Sequence, residues 1–158
     1  MNDGNMDNHY IVRTDNRSSR EALIRFLEDE GYKNNEDDIT NRQYVLDSFF
    51  PIVVDTESSI YDVLHTTTSA SAAVSSRAVI NEDEFYVLFK GSRATYDEYL
   101  AVVKRLFLEY DYTSDETKEF LNRPEIHSIL RSNYEEYIRG IAGCDPRATA
   151  SCLDLMYD

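Results

Sequence analysis

The hydrophobic pattern opens on a short β-type run, His9-Tyr10-Ile11-Val12-Arg13. It then turns helical. Ser18 and Glu21 stand at capping-box spacing, Ala22, Leu23, Phe26 and Leu27 recur three and four apart, and Gly31 supplies a left-handed stop. Lys33 to Gln43 is polar, and its Glu36-Asp37-Asp38 reads as an exposed loop. Phe49-Phe50-Pro51-Ile52-Val53-Val54 and Ser59-Ile60-Tyr61-Asp62-Val63-Leu64 are β-type runs around Asp55-Thr56-Glu57-Ser58, which predicts a hairpin. Pro51 belongs at the start or edge of its strand, where the missing N–H costs little.

From His65 to Ala78 the side chains are small, mostly Thr, Ser and Ala, and the segment reads as a loop. Ile80 and Phe85 fall at hydrophobic-staple positions, with Asn81 and Glu84 as a cap, so a short helix follows with Phe85, Leu88 and Phe89 inward and Gly91 as its stop. Beyond it the pattern stays helical. Thr95 and Glu98 cap a helix whose inner face carries Tyr96, Tyr99, Leu100, Val103, Leu106, Phe107 and Tyr110. Thr113 and Glu116 repeat the signature before Thr117, Phe120 and Leu121. Pro124 opens the next helix at its first position, with Ile126, Ile129, Leu130, Tyr134, Tyr137, Ile138 and Ile141 on its inner face.

These elements predict the α+β class. A βαββα module with a short antiparallel hairpin spans 9–91, and a C-terminal helical hairpin packed on it spans 92–143. Residues 1–8 read as a disordered leader and 144–158 as a tail ordered on contact, in which Leu153, Leu155 and Met156 pack down.

Charge changes the picture more than composition does. The 158 residues carry 16 Lys and Arg against 30 Asp and Glu, a formal net charge of -14. The deficit is spread along the chain: residues 1–90 are net -9 and 91–158 net -5. Such a field repels nucleic acid and anionic lipid and attracts basic surfaces. The polar start, the absence of an apolar run of bilayer length and the two cysteines, Cys144 and Cys152, predict a cytoplasmic protein with reduced thiols.

Three stretches place tyrosines around acids: Tyr96-Asp97-Glu98-Tyr99, Glu109-Tyr110-Asp111-Tyr112 and Tyr134-Glu135-Glu136-Tyr137. Tyrosine is large, amphipathic and stiff, so beside carboxylates it suits a surface that grips a basic protein. The helical stripe sends Tyr96, Tyr99, Tyr110, Tyr134 and Tyr137 toward the interior with hydroxyls at the rim, while the neighbouring acids face outward. The partner-binding candidates are Tyr96, Asp97, Glu98, Glu109, Asp111, Tyr112, Glu135 and Glu136.

Catalytic chemistry has little to stand on. His9, His65 and His127 are far apart in sequence, and no Cys-x-x-Cys pair exists, so the pattern predicts no metal site and no cofactor. Cys144 lies by a helix C-terminus, whose dipole raises a thiol's pKa. The glycines serve as stops and build no phosphate cradle.

The first half resembles small α/β accessory proteins of tailed bacteriophages. The matching stretches are Tyr10-Ile11-Val12-Arg13-Thr14, Ser19 to Gly31-Tyr32, Ile52-Val53-Val54-Asp55 and Ile80-Asn81-Glu82-Asp83-Glu84-Phe85. The resemblance implies a phage accessory role in the host cytoplasm. Together with the charge, it leads to the expectation of a non-catalytic protein that binds a host protein with a basic surface, such as a defence nuclease or a transcription component, and inhibits or redirects it. The alternatives are a self-assembling virion or phage structural protein, and a small enzyme with an unrecognised site. The partners expected are therefore a basic host protein or further copies of the chain, with no nucleic acid and no membrane.

Overall fold

The computed structural model describes residues 9–34, 39–63 and 79–157. The leader 1–8, the run Glu36-Asp37-Asp38, His65 and the Thr/Ser/Ala loop 66–78 lie outside them. The described chain is mixed α/β, with seven helices and one five-stranded sheet. It divides into two compact units, Met1–Phe85 and Tyr86–Asp158.

In the first unit, β1 (His9–Arg13), β2 (Lys33–Asn34), β3 (Ile52–Asp55), β4 (Ile60–Val63) and β5 (Val79–Asn81) form a sheet in the order β2-β4-β3-β1-β5. The hairpin β3–β4 is antiparallel with Val54 opposite Tyr61. β1 runs antiparallel to β3 and parallel to β5. Pro51 stands immediately before β3, where no ladder bond needs its N–H.

Helix α1 (Arg17–Asp29) starts earlier than its sequence signature suggests. Asn16, not Ser18, is the N-cap. Its side chain accepts from Ser19 N at 2.8 Å while Ser19 Oγ accepts from Asn16 N at 3.1 Å. Asn competes with Ser for this position, and an N3 Ser can close the box as Glu does. The buried face is Arg20, Leu23, Ile24 and Leu27, so Ile24 lies inward and Ala22 is exposed.

Two further elements replace expected loop. Lys33–Asn34 forms β2, parallel to β4, and Ile39–Asp47 forms α2. The polar run hides α2 because a salt bridge helps to anchor it: the Arg42 guanidinium donates twice to the Glu28 carboxylate, at 2.7 and 3.1 Å, alongside buried Val45 and Leu46. Val79–Asn81 likewise pairs as β5 beside β1, and α3 (Glu82–Lys90) follows without a break. Asn81 is thus a strand residue; its side chain accepts from Arg13 Nε at 3.2 Å.

The second unit is helical. After a 3-10 turn at Gly91–Arg93 come α4 (Tyr96–Glu109), α5 (Ser114–Leu121), α6 (Pro124–Ile138) and α7 (Pro146–Asp154). Both expected capping boxes form, Thr95 with Glu98 and Thr113 with Glu116. Its core gathers Tyr99, Val102, Val103, Leu106, Phe107, Phe120, Leu121, Leu130, Ala150 and Leu153.

The expected tail is a helix. The Asp145 carboxylate accepts from Ala148 N at 2.8 Å and Pro146 fills the first turn, a strong start signal. The buried face of α7 is Pro146, Thr149, Ala150 and Leu153, so small residues replace the bulky stripe that would have announced it. Leu153 packs down as expected, but Leu155 and Met156 do not.

Candidate protein-binding surface

The tyrosines turn inward and tie the helices together. The fully buried Tyr99 hydroxyl donates to the Cys144 carbonyl at 2.6 Å and meets Thr149 Oγ1 at 2.6 Å. Burial drives its pKa far up, so it stays a neutral donor. Tyr134 donates to the Ala94 carbonyl and Tyr137 to the Val87 carbonyl, each at 2.8 Å. The rings of Tyr96 and Tyr99 each meet Tyr134 edge-on, at 5.4 and 5.5 Å. These are core contacts with the hydroxyl spent on backbone.

Tyr96 is half-buried between His127, edge-on at 6.1 Å, and the Arg131 guanidinium, 4.4 Å above its ring. Its hydroxyl oxygen is buried without a hydrogen-bond partner. Burial raises its pKa and Arg131 partly offsets that.

The Tyr96–Tyr134 contact sets Tyr96-Asp97-Glu98 beside Tyr134-Glu135-Glu136. The acids there do not all face outward. Asp97 and Glu135 are exposed, but Glu98 and Glu136 are half-buried and engaged. Glu98 accepts from Thr95 N at 2.9 Å and from Lys90 Nζ at 2.5 Å, and the lysine bond holds its carboxyl below the usual range. Glu136 accepts from the Cys144 thiol at 3.3 Å. Cys144 itself stands just before the N-cap of α7, not at a helix C-terminus; burial and then Glu136 push its thiol up.

The other three candidates, Glu109, Asp111 and Tyr112, sit at the far end of α4. Its 14 residues put that end about 20 Å away at 1.5 Å per residue. Here the chain is pinned. The Tyr112 hydroxyl donates to the Asp154 carboxylate, and its ring stacks on Phe107 at 5.0 Å and meets Tyr157 at 4.7 Å. The charged acceptor raises the phenol to about 12. Residues 154 to 157 therefore wrap around Tyr112, with Leu155 86% and Met156 45% exposed between the two contacts. Leu108, in the last turn of α4, is 48% exposed.

Asp111 closes α4 in an unusual way. Tyr112 N donates to the Phe107 carbonyl at 3.2 Å and Asp111 N to the Leu108 carbonyl at 3.1 Å, a Schellman motif with Asp111 at φ +75°. The same pair of bonds ends α1 at Gly31 and α6 at Gly140. Glycine fills the left-handed position in those two, at φ +93° and +82°. At the third stands an exposed aspartate, which pays a steric penalty that glycine avoids.

From Glu109 to Glu116 the chain carries four exposed acids, Glu109, Asp111, Asp115 and Glu116, and no base. Two of them and Tyr112 stand out from the sequence pattern, which places Leu155 and Met156 in the interior. Those two lie between Asp154 and Tyr157, the residues that contact Tyr112, an arrangement that no spacing reveals.

Elsewhere, among the described residues no group of three or more His, Cys, Asp or Glu is placed to hold a metal ion. His9 Nε2 lies 3.5 Å from Asp55 Oδ2 because the two are cross-strand partners of β1 and β3, partly open to solvent. No described helix is long and apolar enough to cross a membrane. No family model, curated protein or solved structure matches the chain.

Proposed function

We propose that this is a non-catalytic binding protein whose acidic surface in Tyr86–Asp158 engages a protein with a basic face. The observation that carries the reading is the corner around Tyr112. Hydrogen bonds and ring contacts fix it, yet it presents Glu109 and Asp111 to solvent beside exposed apolar side chains. A pre-ordered surface loses little entropy on binding, and its charge speeds encounter with cationic partners. In the setting that the resemblance of the first half implies, the partner is a host protein with a nucleic-acid channel, a defence nuclease or a transcription component, which the phage protein inhibits or redirects.

The test is recovery of partners from host lysate on the immobilised chain, with Glu109→Gln/Asp111→Asn as the control. Asn tolerates the left-handed backbone, so the variant removes charge and keeps shape. The reading expects a basic protein retained by the native chain and depleted at least severalfold on the variant. Equal retention by both would sink it.

A further inference from the structure

Resting on that binding reading, we infer that the partner element received at the Tyr112 corner is an amphipathic cationic segment, with an apolar row flanked by Lys or Arg. The apolar row would cover Leu155 and Met156 and the bases would face Glu109 and Asp111.

Magnitudes lead to this choice. An exposed ion pair changes affinity by about fivefold or less, whereas burying one large aliphatic side chain changes it by about tenfold to a hundredfold. Carboxylates alone therefore steer a partner without holding it. Leu155 and Met156 supply the missing hold: they are 86% and 45% exposed, on a segment whose flanking residues Asp154 and Tyr157 are fixed against Tyr112.

Charge complementarity decides among occupants. A second copy docking by the same patch would set two copies of this acidic patch face to face, since a two-fold interface joins the same patch of each subunit. An anionic lipid surface meets the same repulsion. A cationic peptide face meets none.

The experiment uses the full chain and two synthetic helical peptides of equal length and charge, one with a Lys face and a Leu face, the other with every Leu replaced by Ser. Anisotropy titrations at low salt should give at least tenfold tighter binding of the Lys/Leu peptide. Leu155→Ser/Met156→Ser should erase that preference and leave weak, salt-sensitive binding. Both substitutions are at exposed positions, and circular dichroism confirms that the fold is kept. Equal affinity for the two peptides, or a preference that survives the double substitution, overturns the apolar dock while leaving the acidic reading standing. If neither peptide binds, the acidic reading fails and takes this inference with it.

Discussion

The Tyr112 hydroxyl donates to the Asp154 carboxylate, closing the end of α4 onto the last turn of α7. Tyr112→Phe keeps the ring stack on Phe107 and deletes this bond, so it should cost about 1 kcal/mol in urea unfolding at neutral pH. The pH dependence has a definite sign. The folded phenol is raised to about 12, above the usual value of about 10. Its contribution is therefore complete below pH 10 and lost as pH rises toward 12. The gap between native and variant stability should narrow across that window, and a constant gap would refute the pairing.

Asp111→Gly tests a trade-off between stability and binding. Glycine at this left-handed position should raise stability by about 1 kcal/mol while weakening retention of the basic partner. A variant that is less stable, or that binds as before, contradicts the idea that the aspartate is there for its charge.

Tyr99 joins three segments through one hydroxyl. Tyr99→Phe takes the hydroxyl donor from the buried Cys144 carbonyl and leaves Thr149 Oγ1 with only its bond from Asn133 Nδ2, a loss of about 1–3 kcal/mol. Truncation to Ala adds a cavity and should cost more than Phe does. Equal unfolding midpoints for native and Phe proteins would show that the hydroxyl network contributes nothing.

Acid should weaken the first unit through Glu28. Hydrogen bonding from Arg42 holds its carboxyl below the ordinary value, Tyr61 adds to this at 2.8 Å, and burial opposes it. A depressed carboxyl stabilises above its unfolded pKa, and the contribution is lost as pH falls through the folded value. Glu28→Gln should therefore lower stability at pH 7 and flatten its decline between about pH 5 and 3. An unchanged slope in the variant would contradict this.

Arg20 is the opposite case, a buried cation whose hydrogen bonds among the described residues go to neutral groups, the Val45 carbonyl and Thr14 Oγ1. It is 4% exposed, donates through Nε to the Val45 carbonyl at 2.5 Å, and has one guanidinium nitrogen without a partner. Desolvation lowers its pKa. Arg20→Met removes the desolvation cost along with the bond and should change stability by less than about 1 kcal/mol. A loss above twice that would show the guanidinium to be a net stabiliser.

Sequence legibility followed the strength of local signals. Thr95 with Glu98, Thr113 with Glu116 and Pro124 each place a helix start within a few residues, because the cap is encoded where it acts. Strand β1 and the β3–β4 hairpin were equally plain. What stayed hidden depends on distant partners. The polar helix α2 gains an anchor from Glu28 of α1, β5 exists by pairing with β1, and α7 buries Thr149 and Ala150 where a bulky stripe would be expected. The candidate surface divides in the same way. That tyrosine stripes turn inward was readable from spacing. That Glu98 also takes Lys90, that Glu136 takes the Cys144 thiol and that Leu155 and Met156 stay exposed was not, since none of these is encoded in the cap or the apolar stripe.

Amide chemical-shift mapping of the labelled chain with its recovered basic partner probes the binding claim most directly. Perturbations should cluster at residues 108–116 and 151–157 and fade as salt is raised from low to physiological levels. A cluster confined to Met1–Phe85, or one indifferent to salt, would mean that the protein grips its partner by some other surface and some other force.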